Sequence, residues 1–126
     1  MLVVVQVLAA LSGLVHVYIW GMESLRFADP RVHRWVFKVA TPDVGAVRLW
    51  AYNQGWYNLF LAVGAIAGVA VVRWQPEVGW TLIVFSCASM VAAALILYKA
   101  NRFMVAAALK QGILPALALV FALTQL

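Results

Sequence analysis

Apolar residues run along this chain in four long blocks separated by shorter polar stretches. Each block contains the roughly 20 apolar residues that a helix needs to cross a hydrocarbon core of about 30 Å. We place the predicted spans at residues 2–27, 49–72, 78–98 and 103–125. The alternation of apolar and polar residues that a membrane β-strand requires is not visible. The pattern therefore predicts an all-α protein, one domain over residues 1–126, built as an antiparallel bundle of four transmembrane helices.

Composition agrees with a chain whose solvent is lipid. Apolar residues make up 67% of it and its mean hydropathy is +0.98, both well above the values of soluble globular proteins. The formal net charge is +5, but the basic residues lie in the connections between apolar blocks, where membrane topology explains them better than nucleic-acid binding does. We therefore expect the lipid bilayer as a partner and no nucleic acid.

The distribution of basic residues predicts the orientation of the bundle. Eight of the nine Lys and Arg residues flank the first and third connections: Arg26, Arg31, Arg34, Lys38, Arg48, Lys99, Arg102 and Lys110. Since cytoplasmic loops carry an excess of such residues, both connections are predicted to be cytoplasmic and both termini to lie outside. The long cytoplasmic loop between the first two helices fits two interpretations over residues 33–40, a short interfacial helix or an ordered loop.

Polar side chains inside the predicted spans are the candidates for function, because an unpaired polar group in a membrane costs several kcal/mol. With a rise of about 1.5 Å per residue, most of them fall in the cytoplasmic half of the bundle, from about 6 Å to about 16 Å deep. The outer half is apolar apart from Gln6, Ser86 and Ser89. This distribution predicts a polar pocket in the cytoplasmic half. Its members are His16, Tyr18, Glu23, Asn53, Gln54, Tyr57, Asn58 and Gln111.

Glu23 and His16 are the predicted catalytic residues. They are seven residues apart, or two helical turns, and therefore share one face of the first helix. A carboxyl and an imidazole in this setting could move a proton, while Tyr18 and the polar residues of the second and fourth spans bind a ligand. The alternative is a structural role, in which Glu23 forms an ion pair with Arg26, Arg48, Lys99 or Arg102. No second intramembrane His or Cys stands at ligand spacing, so we predict no metal and no cofactor.

Three motifs carry a resemblance to a known family. They are His16-Val-Tyr-Ile-Trp-Gly-Met-Glu23, Asn53-Gln54-Gly55-Trp56-Tyr57-Asn58 and Lys110-Gln111-Gly112. In this order and spacing the chain resembles a family of small, mostly bacterial integral membrane proteins catalogued only as a domain of unknown function. It departs from that pattern at Lys99, where a small residue is expected. The resemblance implies four membrane helices, with these polar positions as the signature, and a bacterial inner membrane location.

Three functions are compatible with these residues. In the first, the protein binds or transforms a small hydrophobic molecule by an isomerase-type proton transfer, and the molecule arrives laterally from the bilayer. In the second, it is a proton-coupled transporter and works as a homo-oligomer, since four helices alone enclose little space. In the third, it is an accessory subunit of a membrane complex. Whether the chain is an enzyme is left open by the sequence.

Overall fold

The computed structural model describes residues 1–125 and contains four long helices and no strand in that range. Helix α1 spans Leu2–Trp20 and continues into a π-helical turn at Gly21–Leu25. It is followed by α2, α3 and α4, which span Val44–Val71, Pro76–Ala100 and Val105–Leu123. Each of the four helical stretches is long and apolar enough to cross a membrane. The prediction of an all-α chain with four long apolar helices is confirmed over the described residues.

Helix α2 begins earlier than the predicted second span. The chain enters it through a 3-10 turn at Thr41–Asp43, in which Pro42 occupies one of the first positions. Proline suits such a start because its missing N–H would have no partner there. The first turns of α2 are less apolar than the rest, so hydropathy placed the span at residue 49 while the helix itself starts at Val44.

The four helices pack in a ring, each against its two neighbours in sequence, with α4 closing onto α1. Glycines set the closest approaches. A Cβ atom at Gly68 of α2 would lie 2.9 Å from the carbonyl oxygen of Gly79 on α3, and one at Gly112 of α4 would lie 2.8 Å from Cβ of Ala94 on α3. Small residues let membrane helices pack backbone against backbone, where lipid provides no hydrophobic drive for association.

Consecutive helices run antiparallel, so the first and third connections lie at the same end of the bundle. Gln6 near the start of α1 contacts Val69 near the end of α2, whereas Glu23 at the end of the first helical stretch contacts Asn58 at the middle of α2 and Ser24 contacts Tyr52 in the first half of α2. We call the end that carries the first and third connections the basic end, because eight of the nine Lys and Arg residues flank these connections.

The opposite half of the bundle is filled with apolar side chains. Gln6 is a polar exception there, and it is already bonded: its Nε2 donates to the Val69 carbonyl (3.1 Å) and its Oε1 accepts from Nη2 of Arg73 (2.9 Å). The interior of this half is mainly apolar. Its buried core consists of Val5, Ala9, Val72, Ile83, Cys87, Ala118 and Ala122.

His33 organises the long connection at the basic end. The residue is 1% exposed, and its Nδ1–H donates to the Phe27 carbonyl at 2.8 Å. In the neutral ring this leaves Nε2 to accept from the Thr41 hydroxyl at 3.1 Å. Both ends of the connection are thereby tied to one imidazole. The segment between them contains a π-helical turn at Arg31–Val36.

Asp29 holds the start of this turn. Its carboxylate accepts hydrogen bonds from the backbone N (2.9 Å) and from Nη2 (3.1 Å) of Arg31, and Nη2 of Arg26 lies 3.5 Å away. These side-chain and backbone hydrogen bonds from Arg31 lower the pKa of Asp29 below its usual value. The carboxylate therefore stays ionised over the physiological range and fixes the loop that follows α1.

Candidate functional site

Glu23 lies in the π-helical turn that ends the first helical stretch. The turn is closed by the backbone N–H of Arg26, which donates to the carbonyl of Gly21 five residues earlier at 3.0 Å. Glu23 is 8% exposed, inside the stretch that is apolar enough to span a membrane. Single π-helical turns occur frequently at functional sites, because they change the direction of the side chains that follow the preceding α-helix.

Asn58 of α2 is the hydrogen-bond partner of Glu23. Its Nδ2 donates to Oε1 of Glu23 at 3.2 Å and to the carbonyl of Gln54 at 3.3 Å. Asn58 is also 8% exposed. The second hydrogen bond to its own helix fixes the direction of the amide, so that one buried donor points at the carboxyl group.

Gly55 allows α2 to come this close to the π-helical turn. A Cβ atom there would lie 3.1 Å from Cβ of Glu23 and would overlap Oγ of Ser24. The Ser24 hydroxyl in turn donates to the Tyr52 carbonyl at 2.9 Å. The contact between the π-helical turn and α2 therefore depends on two features. Gly55 of α2 has no side chain, and the Ser24 hydroxyl of the turn bonds to the backbone of α2.

Glu23 has no cationic partner within salt-bridge distance among residues 1–125. The ion pairs in that range both involve Asp29, with Arg26 and with Arg31. The alternative that Glu23 pairs with Arg26, Arg48, Lys99 or Arg102 is therefore not realised in the structure. A carboxyl group at membrane depth that no basic residue neutralises is expensive to keep, which points to a role beyond packing.

His16 is buried in α1, on the same helical stretch as Glu23. It is 1% exposed, and its Nδ1–H donates to the Ser12 carbonyl one turn earlier at 2.8 Å. Since a carbonyl can only accept, the neutral ring keeps its proton on Nδ1 and a lone pair on Nε2. The seven residues between His16 and Glu23 correspond to about 10 Å along a helix axis, too far for a direct hydrogen bond.

Trp20 adds a buried donor that was not among the predicted site residues. Its Nε1–H is buried and has no hydrogen-bond partner in the described part of the chain. Trp20 packs edge-to-face on Trp56 of α2, with ring centroids 5.4 Å apart. Trp56 in turn contacts Tyr52 and Phe60, with a ring-centroid distance of 6.3 Å to each. We call these four residues the aromatic cluster. The available signal was spacing, since Trp20 lies four residues after His16 and three before Glu23.

The other five predicted ligand-binding residues lie outside the Glu23–Asn58 contact. Tyr18 is 64% exposed and Tyr57 is 57% exposed, and Asn53 and Gln54 are also exposed. Gln111 on α4 is half-buried. The structure thus joins Glu23 and Asn58 directly and buries His16 on the same stretch, whereas four predicted residues point to the outside of the bundle. Their roles in binding stay predictions.

A separate groove lies between α3 and α4. It has a volume of about 350 Å³ and is lined by apolar side chains together with Tyr98, and none of the eight predicted site residues lines it. Among the described residues, no group of three or more His, Cys, Asp or Glu could hold a metal ion.

One family model matches the chain, from residue 10 to residue 123, with the description "protein of unknown function (DUF1304)". The matched range includes His16, Glu23, Asn58 and Gln111, and it covers all four helices apart from the first residues of α1. No curated protein matches the chain, and no solved structure matches it. Since the match extends over nearly its full length, the chain belongs to the DUF1304 family.

Proposed function

We propose that this protein is a multi-pass membrane protein that binds a small hydrophobic molecule at Glu23 and exchanges a proton with it. The observation that carries the proposal is the carboxyl group of Glu23, which is buried in a membrane-span-capable helix, accepts a hydrogen bond from Asn58 and has no cation beside it among the described residues. The proposed location is the bacterial inner membrane, with the basic end in the cytoplasm and both termini outside.

The surroundings of Glu23 suit a ligand with an apolar body and one polar end. Asn58 donates to Oε1 of Glu23, which leaves Oε2 as the oxygen to carry a proton or meet the ligand. The unpaired Nε1–H of Trp20 offers a donor for an oxygen atom of that ligand. Because the aromatic cluster extends to the exposed ring of Phe60, a hydrophobic molecule could reach this region from the bilayer without crossing water.

Proton transfer requires a second group, and His16 is the candidate. When the Glu23 carboxyl group gives its proton to one atom of the ligand, the Nε2 lone pair of His16 can take a proton from another atom. Each residue then regains its starting protonation state by proton exchange with water. Addition of a proton at one atom and removal of a proton from another shifts a double bond without any change of redox state. A ligand about 10 Å long would span the two groups, given their separation along the helix.

A transporter is less well supported by the packing. A proton-coupled path through one chain would continue into the half of the bundle away from the basic end. That half is filled by the apolar core around Val5, Ile83 and Ala118, and Gln6 there is bonded to Val69 and Arg73. A homo-oligomer would be needed to enclose a channel between chains. An accessory-subunit role would use the Glu23–Asn58 contact for assembly instead of for a ligand.

The test is to identify any molecule that the purified protein retains. Wild type, Glu23→Gln and Glu77→Gln are extracted in mild detergent and compared by native mass spectrometry and organic extraction. Glu77 is the matched control, a glutamate in the exposed first turn of α3. We expect the same apolar ligand on wild type and Glu77→Gln and its loss from Glu23→Gln. Identical ligand content in all three proteins, or none in any, would contradict the proposal.

A further inference from the structure

The groove between α3 and α4 is open to the outside of the bundle and reaches the basic end. Its walls run along α3 from Val91 to Tyr98 and along α4 from Val105 to Ala116. With a rise of about 1.5 Å per residue, the walls are about 10 Å long on α3 and about 16 Å long on α4. A slot of this length and apolar character, lying parallel to two membrane helices, matches the shape of a lipid acyl chain.

Two basic residues stand at the end of this groove, and a third lies partway along it. Lys99 directly follows the lining residue Tyr98, and Arg102 lies in the turn that leads to Val105. Lys110 follows the lining residue Leu109, about 8 Å along the α4 wall, and its long side chain can extend back towards the basic end. All three are exposed. Within residues 1–125 none of them forms an ion pair, since the salt bridges in that range are those of Asp29. Three positive charges without an ion-pair partner in that range therefore adjoin the half of the slot nearest the basic end.

We propose that this groove binds an anionic phospholipid, with one acyl chain between α3 and α4 and the phosphate at Lys99, Arg102 and Lys110. The site is separate from Glu23 and does not depend on the function proposed for that residue. The two parts of the site contribute differently. A bilayer already solvates an acyl chain, so the groove supplies mainly packing and position. The basic residues supply the preference for an anionic head group, at about a fivefold effect per charge.

The test measures lipid selectivity in a defined membrane. The protein is reconstituted in vesicles of phosphatidylcholine with a minor fraction of phosphatidylglycerol of the same acyl chains, and retained lipid is counted by native mass spectrometry. The charge variant combines Lys99→Gln, Arg102→Gln and Lys110→Gln. Its matched control combines Arg34→Gln, Lys38→Gln and Arg48→Gln, which removes three exposed charges from the same end of the bundle but away from the groove.

We expect wild type and the control variant to prefer phosphatidylglycerol and the charge variant to lose about a hundredfold of that preference, from about fivefold for each of three charges. Free inorganic phosphate should not compete. Equal loss in the charge variant and the control, or no preference in wild type, would overturn the head-group assignment. A third variant, Ala116→Phe, places a ring in the groove with the charges intact. It should lower retention of both lipids, and unchanged retention would overturn the acyl-chain assignment.

Discussion

Gly79→Ala is expected to lower the stability of the bundle by at least about 1–3 kcal/mol, the usual cost of forcing extra atoms into a packed interior. A Cβ atom at Gly79 would overlap Cα and Cβ of Val72 and lie 2.7 Å from its backbone N. These atoms belong to the backbone or its first branch, so no side-chain rotation can make room. Helices α2 and α3 must then move apart, which also breaks the contact between Gly68 and Gly79.

The measurement is the midpoint temperature of unfolding in detergent, monitored by the fluorescence of the six tryptophans. Gly45→Ala is the matched control, because Gly45 lies in the first turn of α2 and a Cβ atom there would meet nothing within 4 Å. That variant should keep the wild-type midpoint or exceed it slightly, since alanine is the better helix former. Equal midpoints for the two variants would contradict the close crossing of α2 and α3.

Asn58→Leu is expected to destabilise the protein by about 1–3 kcal/mol, because it leaves the buried Glu23 oxygen without its donor. Replacement of both partners, Glu23→Leu with Asn58→Leu, should recover that loss or exceed wild-type stability. Removing a buried polar pair altogether is often neutral or stabilising, whereas breaking it is costly. Thermal midpoints of the wild type, both single variants and the double variant form the cycle that measures this coupling.

The double variant separates a functional carboxyl group from a structural one. If Glu23 and Asn58 are kept for chemistry, the apolar pair folds at least as well as wild type and loses only the ligand. A double variant clearly less stable than Asn58→Leu alone would mean that the carboxyl group holds α1 against α2, and the function proposed for Glu23 would then lose its basis.

The four helices could be predicted from the sequence because the thickness of the bilayer sets the length of an apolar block. The burial of His16 and Glu23 was predictable for a related reason. Two polar side chains two turns apart in an apolar helix must share a face, and the interior of the bundle is the place where that face avoids lipid. Both residues are buried in the structure, and Glu23 lies against α2, where Oε1 accepts a hydrogen bond from Asn58.

The inner face of α2 could not be found from hydrophobicity, because lipid is as apolar as a protein core. Small residues mark that face instead. The buried positions of α2 are Gly55, Asn58, Ala62, Ala65 and Gly68. Asn58 belongs to this stripe of small residues, whereas Asn53, Gln54 and Tyr57 do not, which explains their exposure. Assignment of the inner face of α2 from its small residues would have distinguished Asn58 from its polar neighbours.

The conformation of the long connection could not be predicted from the sequence for a different reason. It depends on two hydrogen bonds that the His33 imidazole forms with Phe27 and with Thr41, which lie on opposite sides of His33 in the chain. Local propensity contains no signal for such contacts. The π-helical turn at Gly21–Leu25 is a similar case, since it arises where α1 ends against Gly55 of α2.

The central claim is that Glu23 is a protonatable carboxyl group reached from the lipid phase. Labelling with a hydrophobic carbodiimide tests it most directly, because the reagent partitions into membranes and reacts with protonated carboxyl groups. The chain has four acidic residues. Glu23 is the buried one, whereas Asp43 and Glu77 are exposed in the first turns of their helical stretches and Asp29 lies in the long connection. Peptide mass spectrometry should place the adduct on Glu23 in wild type and in Glu77→Gln. Labelling confined to Asp29, Asp43 and Glu77, with Glu23 unmodified, would contradict the claim.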